Sequence, residues 1–421
     1  MSDNLDFAFI SMPEIGNEFL TRLDAIRESE PIFWSDCQRG WLVTRHQDIS
    51  DGFSQKYPLS SKRFGLTTLS AIPVAEQPER IPMLHRFVPM LINNNDAPIH
   101  TRVRRLVMKA FSRKVVEAVR GFAQSNIESI FDKVETQAAI ELNGDVARPI
   151  TGMTILRLMG IPMAHLSKLG PWSEQINISL GSVNPPLEQV MAGENAIREI
   201  YALFAEEIEK RRLSPGDDIF SGLVAAVDDG DRLTLDEMIG ASIVLLIAGH
   251  DTTLNSIVLG VEALSHRPAL RDWLSENPEG GVAAAIELSR MTAMSSFETR
   301  VASEDFEWHG KHIKAGDALF LMIAAGNRDP RVYDRASEID FARDNNSVLT
   351  WGPGLHHCLG HLLAKMQLAE FFTRAYRRYA QIEVVEPDLR FGPAPSFRGF
   401  PVMHVKLHAR SPALPRLPIV N

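Results

Sequence analysis

Thr350-Trp351-Gly352-Pro353-Gly354-Leu355-His356-His357-Cys358-Leu359-Gly360 is the stretch that decides how this chain reads. Glycines at 352, 354 and 360 and a proline at 353 exclude ordinary helix or strand, so the segment is a shaped loop. Beyond it, Leu362, Leu363, Met366, Ala369, Phe372, Tyr376 and Tyr379 recur every three to four residues, the period of a helix. Cys358 is therefore expected where a tight loop opens into a helix. Backbone N–H groups and the positive end of the helix dipole favour a thiolate over a thiol there. Small neighbours also let a large flat ligand approach the sulfur. On these residues alone, a buried thiol and a Cys–His nucleophile both stay open. Zinc would want a fourth ligand, and no second Cys or His pair stands at finger spacing.

Composition bounds the class. The chain has 421 residues, 45% hydrophobic and 23% charged, which is ordinary for a soluble globular protein with a large core. No linker, low-complexity tract or internal repeat divides it, so a single domain over 1–421 is expected. A net charge of -9 argues against general nucleic-acid binding. Cys37 and Cys358 are the only cysteines and stand far apart, which suggests no structural disulfide and a reducing cytoplasm. The segment from Met1 to Phe19 carries Asp3, Asp6 and Glu14, without a basic region followed by an apolar run. Neither a signal peptide nor a membrane anchor is expected from it.

Residues 17–30 read as an amphipathic helix, and Ile32 to Thr44 as alternating strands of a small sheet. From Ser60 to Asn95 the periodicity fails, with prolines at 73, 78, 82 and 89. An irregular stretch this long is functional or disordered. A helix should start at Asp96-Ala97-Pro98, with Asp96 as cap and Pro98 in the first turn. On it, His100 and Arg104 share one face. Arg102, Arg105, Lys109, Arg113 and Lys114 make this segment strongly basic, either as a solvated face or as a dock for an acidic partner. Residues 115–213 read as several helices with turns near Pro162, Pro171 and Pro185-Pro186, and Pro215 to Asp218 is a turn.

The longest helix signal follows. Thr234-Leu235-Asp236-Glu237 is a capping box, and the pattern runs on to a stop at Pro268, about 30 residues or ~50 Å. Its middle is Val244-Leu245-Leu246-Ile247-Ala248-Gly249-His250-Asp251-Thr252-Thr253. His250, Asp251, Asn255 and Glu262 would each be costly at membrane depth, so this reads as a buried core helix and not a span. Gly249 and two threonines weaken the helix, and Asp251 is expensive to bury. A helix that breaks local rules at its centre marks a functional site.

The pattern aromatic-Gly-x-Gly-x-His-x-Cys-x-Gly resembles the haem-binding signature of the cytochromes P450, with Trp351 where that family usually has Phe. Other motifs follow in the family's order. They are Asp-x-Pro-x-His-x-x-x-Arg from Asp96 to Arg104 (Ala97 replacing a common Pro), Ala-Gly-x-Asp-Thr from Ala248 to Thr252, Glu-x-x-Arg from Glu287 to Arg290, and Asp340 to Arg343. The resemblance covers roughly residues 30–408. It implies a mainly α fold with small β-sheets, and haem b between the long helix and a loop whose Cys358 is the axial ligand to iron. It puts Trp351, Ala248 and Gly249 beside the haem, with the helix opening there to form an oxygen groove. His100, Arg104, Arg300 and His356 become propionate partners. Asp251 and Thr252 deliver protons to dioxygen, and Glu287, Arg290 and Arg343 form a buried structural network. Val244, Ile247, Ala248, Met294, Phe297 and Phe397 become walls of a pocket for a small apolar substrate, with the 60–95 stretch over its entrance. Arg80, His85 and Arg86 in that stretch leave a carboxylate-bearing substrate open.

The implied activity is that of a soluble bacterial monooxygenase performing hydroxylation or O-dealkylation. Electrons come from NAD(P)H through a separate reductase and a ferredoxin docking near Arg102, Arg105, Lys109 and Arg113. A peroxide-using or non-oxygenating haem-thiolate enzyme and a haem-thiolate gas sensor are the rival classes. The retained Asp251-Thr252 pair argues against the first, and that pair with the basic helix against the second.

Overall fold

The computed structural model describes residues 18–63, 72–137, 139–181, 185–228, 230–344, 347–386, 389–392 and 396–420. The expectation for the N-terminal segment rests on residues 1–17, and part of the entrance segment on 64–71; both lie outside the described residues. The described chain is mainly helical with small sheets, as expected. It divides into two compact units.

The first unit takes in the described residues of Met1–Leu59, Ala123–Ile150 and Thr252–Asn421. Its larger sheet runs in the order Ile32–Ser35, Gly40–Val43, Ala318–Leu321, Glu298–Ala302 and Leu59–Ser60. The alternating residues of 32–44 form an antiparallel hairpin with Ile32 opposite Val43, and Ala318–Leu321 joins it in parallel. A second sheet aligns Tyr379–Val384, His404–Ala409 and Ile140–Glu141. The core lies along the helix His361–Arg378, whose Phe371, Phe372 and Tyr376 are fully buried among Ile127, Phe131, Val258 and Leu288. Gly260 permits this packing: a Cβ there would lie 2.3 Å from the Phe372 ring.

The second unit takes in the described residues of Ser60–Phe122 and Thr151–Asp251. The stretch where periodicity fails is a series of short helices, Gln77–Arg80 and Pro82–Phe87, followed by 3-10 turns at Val88–Met90 and Ile92–Asn94. Pro78, Pro82 and Pro89 stand at the first or second helical position, where a missing N–H costs nothing. Broken periodicity here means repeated helix starts. Glu194, 1% exposed on the helix Leu187–Leu213, accepts the N–H groups of Met83 at 3.0 Å and Leu84 at 2.9 Å. It thereby satisfies the open N-terminus of Pro82–Phe87.

Two local expectations are corrected. The helix Ile99–Ala110 has Pro98 as its N-cap without a side-chain bond; the Asp96 carboxylate instead accepts from Ser60 Oγ at 2.5 Å and Ser61 N at 2.8 Å. Pro171 lies inside the helix Leu166–Gly181 instead of marking a turn. Burial of Leu169, Trp172, Ile176 and Leu180 along that helix outweighs the loss of one backbone bond.

The capping box is formed as read. Thr234 Oγ1 accepts the N–H of Glu237 at 3.2 Å, and Glu237 Oε2 accepts that of Thr234 at 2.8 Å. The helix it opens, Leu235–Ser265, has 31 residues. Among the described residues it alone is long and apolar enough to cross a membrane, and half of its most apolar window is buried inside the protein.

Candidate active site

In the first unit the cysteine loop begins with a 3-10 turn, Leu349–Trp351, followed by Gly352 at φ 63° and Gly354 at φ 85°. A Cβ on Gly354 would lie 2.7 Å from the Phe53 carbonyl oxygen, so both backbone angle and space demand glycine. The loop closes on itself. Cys358 N donates to the Trp351 carbonyl at 2.7 Å and His357 N to the Gly354 carbonyl at 3.1 Å. The helix His361–Arg378 starts directly afterwards, with Gly360 as its N-cap. His361 Nδ1 lies 2.9 Å from the Cys358 carbonyl oxygen. Cys358 thus stands at the positive end of a long helix, half-buried and outside any disulfide.

Two further side chains meet at the loop. The Trp351 Nε1 atom is buried and has no hydrogen-bond partner among the described residues. Lys365 Nζ lies 5.3 Å from the centroid of the Trp351 ring. Burial pushes the Lys365 ammonium below the usual lysine range, opposed by the charge of Cys358 nearby.

Behind the loop stands the ion-pair network anticipated from Glu-x-x-Arg. Glu287 and Arg290 are fully buried; Arg290 Nε and Nη2 donate to the two Glu287 oxygens, each at 2.8 Å, and Arg343 Nε reaches Oε1 at 3.2 Å. Remaining Arg290 protons go to the carbonyls of Asn327 at 2.6 Å, Ala336 at 2.8 Å and Glu338 at 2.8 Å. A buried ion pair this well satisfied does not carry the usual desolvation penalty unrelieved. Asn327, which no motif singled out, connects the network to the loop. Its Nδ2 donates to Thr350 Oγ1 and its Oδ1 accepts Leu349 N–H.

Arg300 is 4% exposed, with its guanidinium 5.2 Å from the Phe53 ring centroid, donating to the Thr299 carbonyl and 3.9 Å from Glu298. A buried cation so placed suits an anionic ligand group. His356 stays half-buried in the loop. Met294 and Phe297, expected as pocket walls, are core residues at 7% and 6% exposure. Phe297 packs edge-on to Phe320 with centroids 5.3 Å apart. Phe397, bridged to Ser295, keeps accessible surface.

The central helix carries a second feature. Val244, Leu245, Ile247, Ala248, Asp251, Thr252 and Asn255 keep accessible surface, while Ile243, Leu246, His250, Thr253 and Leu254 are buried. Spacing of three and four puts the accessible residues on one stripe, apolar at its start and polar from Asp251. The helix stays α-helical across Ala248 to Thr253, so the opening implied by the resemblance is not expressed in its backbone pattern. In the second unit, Asp251 Oδ2 accepts from Asn177 Nδ2 at 2.8 Å, and Asp251 Oδ1 lies 3.7 Å from Nε2 of the fully buried His250. His250 Nδ1 lies 2.9 Å from Thr151 Oγ1. Asn177 and Thr151 come from other helices and had no sequence signal.

On Ile99–Ala110, His100 is 1% exposed and Arg104 half-buried. Arg102, half-buried on the same helix, is held in ion pairs. Its guanidinium pairs with Asp231 at 2.6 Å and Glu237 at 2.5 Å, carboxylates that folding brings beside it. Arg105, Lys109 and Arg113 are exposed, and Lys109 Nζ donates to the Val227 carbonyl.

These features fit haem. The loop offers a cysteine sulfur at a helix start among small residues, an indole N–H buried without an acceptor among the described residues, and a buried arginine in the same unit. They define a class, a mainly helical protein whose cysteine loop fits a large cofactor.

The sequence profile of cytochrome P450 matches residues 282–388. Nocardicin C N-oxygenase of Nocardia uniformis subsp. tsuyamanensis is 32% identical over 84% of this chain and 85% of its own. Polyketide biosynthesis cytochrome P450 PksS of Bacillus subtilis (strain 168) is 31% identical, covering 87% of this chain and 90% of its own. The solved PksS structure superimposes with a TM-score of 0.82 at 28% identity, over 94% of this chain and 98% of that one. The chain belongs to the cytochrome P450 family, whose members are haem-thiolate monooxygenases.

Proposed function

We propose that this P450 holds haem b through Cys358 and inserts one atom of dioxygen into a small apolar substrate by hydroxylation or O-dealkylation. Electrons are drawn from NAD(P)H through a separate ferredoxin and reductase. The observation that carries this reading is the cysteine loop, whose positive-φ glycines and Cys358–Trp351 backbone bond hold a thiol at the start of a long helix. We take residues 1–421 as one functional domain, cytoplasmic and without membrane or nucleic-acid partners.

Cys358 would hold the haem iron through its sulfur, Trp351, Ala248 and Gly249 would stand beside the cofactor, and Arg300, His356, His100 and Arg104 would pair with its propionates. When bound, haem supplies the iron centre that activates dioxygen. Proton supply falls to the chain. The Thr252 hydroxyl both accepts and donates a hydrogen bond, and Asp251, hydrogen-bonded by the neutral Asn177, is a carboxylate that can take up and release a proton beside it. Val244, Ile247, Ala248 and Phe397 offer the substrate an apolar surface. The names of the two relatives, one acting on nocardicin C and one in polyketide biosynthesis, do not agree on a substrate, so this surface supports the substrate class. Arg105, Lys109 and Arg113 offer an acidic ferredoxin a basic face.

The test is the ferrous CO spectrum. The wild type should show the red-shifted Soret band of a thiolate-ligated haem, and Cys358→His should lose it. A thiolate spectrum retained in Cys358→His would refute the assignment. Turnover supported by ferredoxin and reductase, compared with turnover driven by peroxide, separates the monooxygenase from the peroxide-using alternative.

A further inference from the structure

Trp351 is where the cysteine loop departs from the family's usual Phe, and the two residues differ in one property that packing does not use. Phenylalanine can only fill space, whereas the indole carries an N–H donor. That donor is buried and unbonded among the described residues. A buried donor without an acceptor is costly, so it is expected to persist only where the working protein supplies one. Cys358 is joined to the same residue through its N–H and the Trp351 carbonyl at 2.7 Å, which fixes the indole's backbone against the cysteine's. Lys365, one turn into the following helix, lies 5.3 Å from the centre of the indole ring. A cation over an indole is attracted to its π-face and draws charge from the ring, which makes the N–H a stronger donor.

We propose that Trp351 donates its Nε1–H to the Cys358 sulfur in the haem-loaded protein and that Lys365 reinforces this donation. The two act as positioning residues that withdraw charge from the axial thiolate. This rests on the reading of Cys358 as axial ligand. Hydrogen bonds to a coordinating sulfur weaken its donation to the metal and raise the reduction potential. The pair would therefore influence how readily the bound haem accepts an electron.

The experiment uses the holoenzyme and reads ligand strength, not activity. Trp351→Phe keeps an aromatic ring and removes the donor. Its ferric/ferrous potential should fall by at least about 59 mV, a tenfold change in the one-electron equilibrium, and its iron–sulfur stretch in resonance Raman should move to higher frequency. Lys365→Met, with the indole retained, should shift both in the same direction by less. A wild type showing the thiolate CO band, with potential and stretch unchanged in Trp351→Phe, overturns this inference alone. A wild type without that band overturns the ligand assignment and this inference with it. If Trp351→Phe fails to retain haem, Lys365→Met decides: a fall in potential supports the pair, and an unchanged value rejects it.

Discussion

Asn327 holds Thr350: its Nδ2 donates to the threonine Oγ1 at 2.9 Å, its Oδ1 accepts the N–H of Leu349 at 2.8 Å, and its own carbonyl accepts from Arg290 at 2.6 Å. Thr350 Oγ1 in turn donates to the Ser289 carbonyl at 3.0 Å. One fully buried residue, through its carbonyl and its side chain, thus connects the Glu287–Arg290 pair to the first residues of the cysteine loop. Asn327→Ala would leave Leu349 N–H and Thr350 Oγ1 without this partner, at a cost of about 1–3 kcal/mol for each buried group left unsatisfied. The variant should unfold at lower urea and lose haem absorbance before its far-UV signal. Coincident loss of both signals at the wild-type midpoint would show that Asn327 does not brace the loop.

Thr252 and Asp251 should fail in different ways. Thr252→Ala should leave haem content, substrate binding and reductant use near wild type while product falls by about one to two orders of magnitude and hydrogen peroxide rises. Asp251→Asn should instead slow reductant use itself, by roughly 10²-fold if a positioned proton donor is lost, because its effect precedes the threonine's. Asn177→Ala, which removes the hydrogen bond to Asp251, should resemble Asp251→Asn in a milder form. Full coupling in Thr252→Ala would exclude this proton route.

The basic helix separates into two kinds of residue. Arg105→Gln and Arg113→Gln should slow reduction by an acidic ferredoxin, roughly three- to tenfold at low ionic strength, and flatten its salt dependence. Peroxide-driven turnover should be unaffected. Arg102→Gln should behave otherwise, lowering the unfolding midpoint because Asp231 and Glu237 lose their shared partner. Equal loss of ferredoxin-driven and peroxide-driven turnover in Arg105→Gln would argue against a docking role.

Acid sensitivity should reside partly in two surface carboxylates of the first unit. The Arg331 guanidinium, helped by Arg27 and opposed by partial burial, holds Glu28 at about 2 against an ordinary 4.5. Arg416, with Arg378, holds Asp132 at about 2 against an ordinary 3.8. Both are depressed in the fold, so their contribution is complete above the ordinary carboxylate range and is lost as pH falls toward about 2. Glu28→Gln and Asp132→Asn should each reduce the slope of the urea midpoint against pH between these limits. Solvent screening keeps each effect small. An unchanged slope in both variants would place the acid sensitivity elsewhere.

The sequence by itself determined what acts over a few residues. The Thr234–Glu237 cap spans three positions, the glycines of the cysteine loop are set by their own backbone angles, and the Glu287–Arg290 pair meets within one helical turn. Each could be read because its partner is local and its chemistry is restricted to few residue types. Tertiary structure decided whatever depended on how helices pack. Asn177 reaches Asp251 across 74 positions, Thr151 reaches His250 across 99, and Asp231 reaches Arg102 across 129. No periodicity or spacing encodes such pairs, because an asparagine or threonine on a helix face looks the same whether it meets solvent or a carboxylate of another helix. The same limit misplaced Asp96 and Pro171. Local propensity for a cap or a break was in each case overridden by the groups that folding brought alongside.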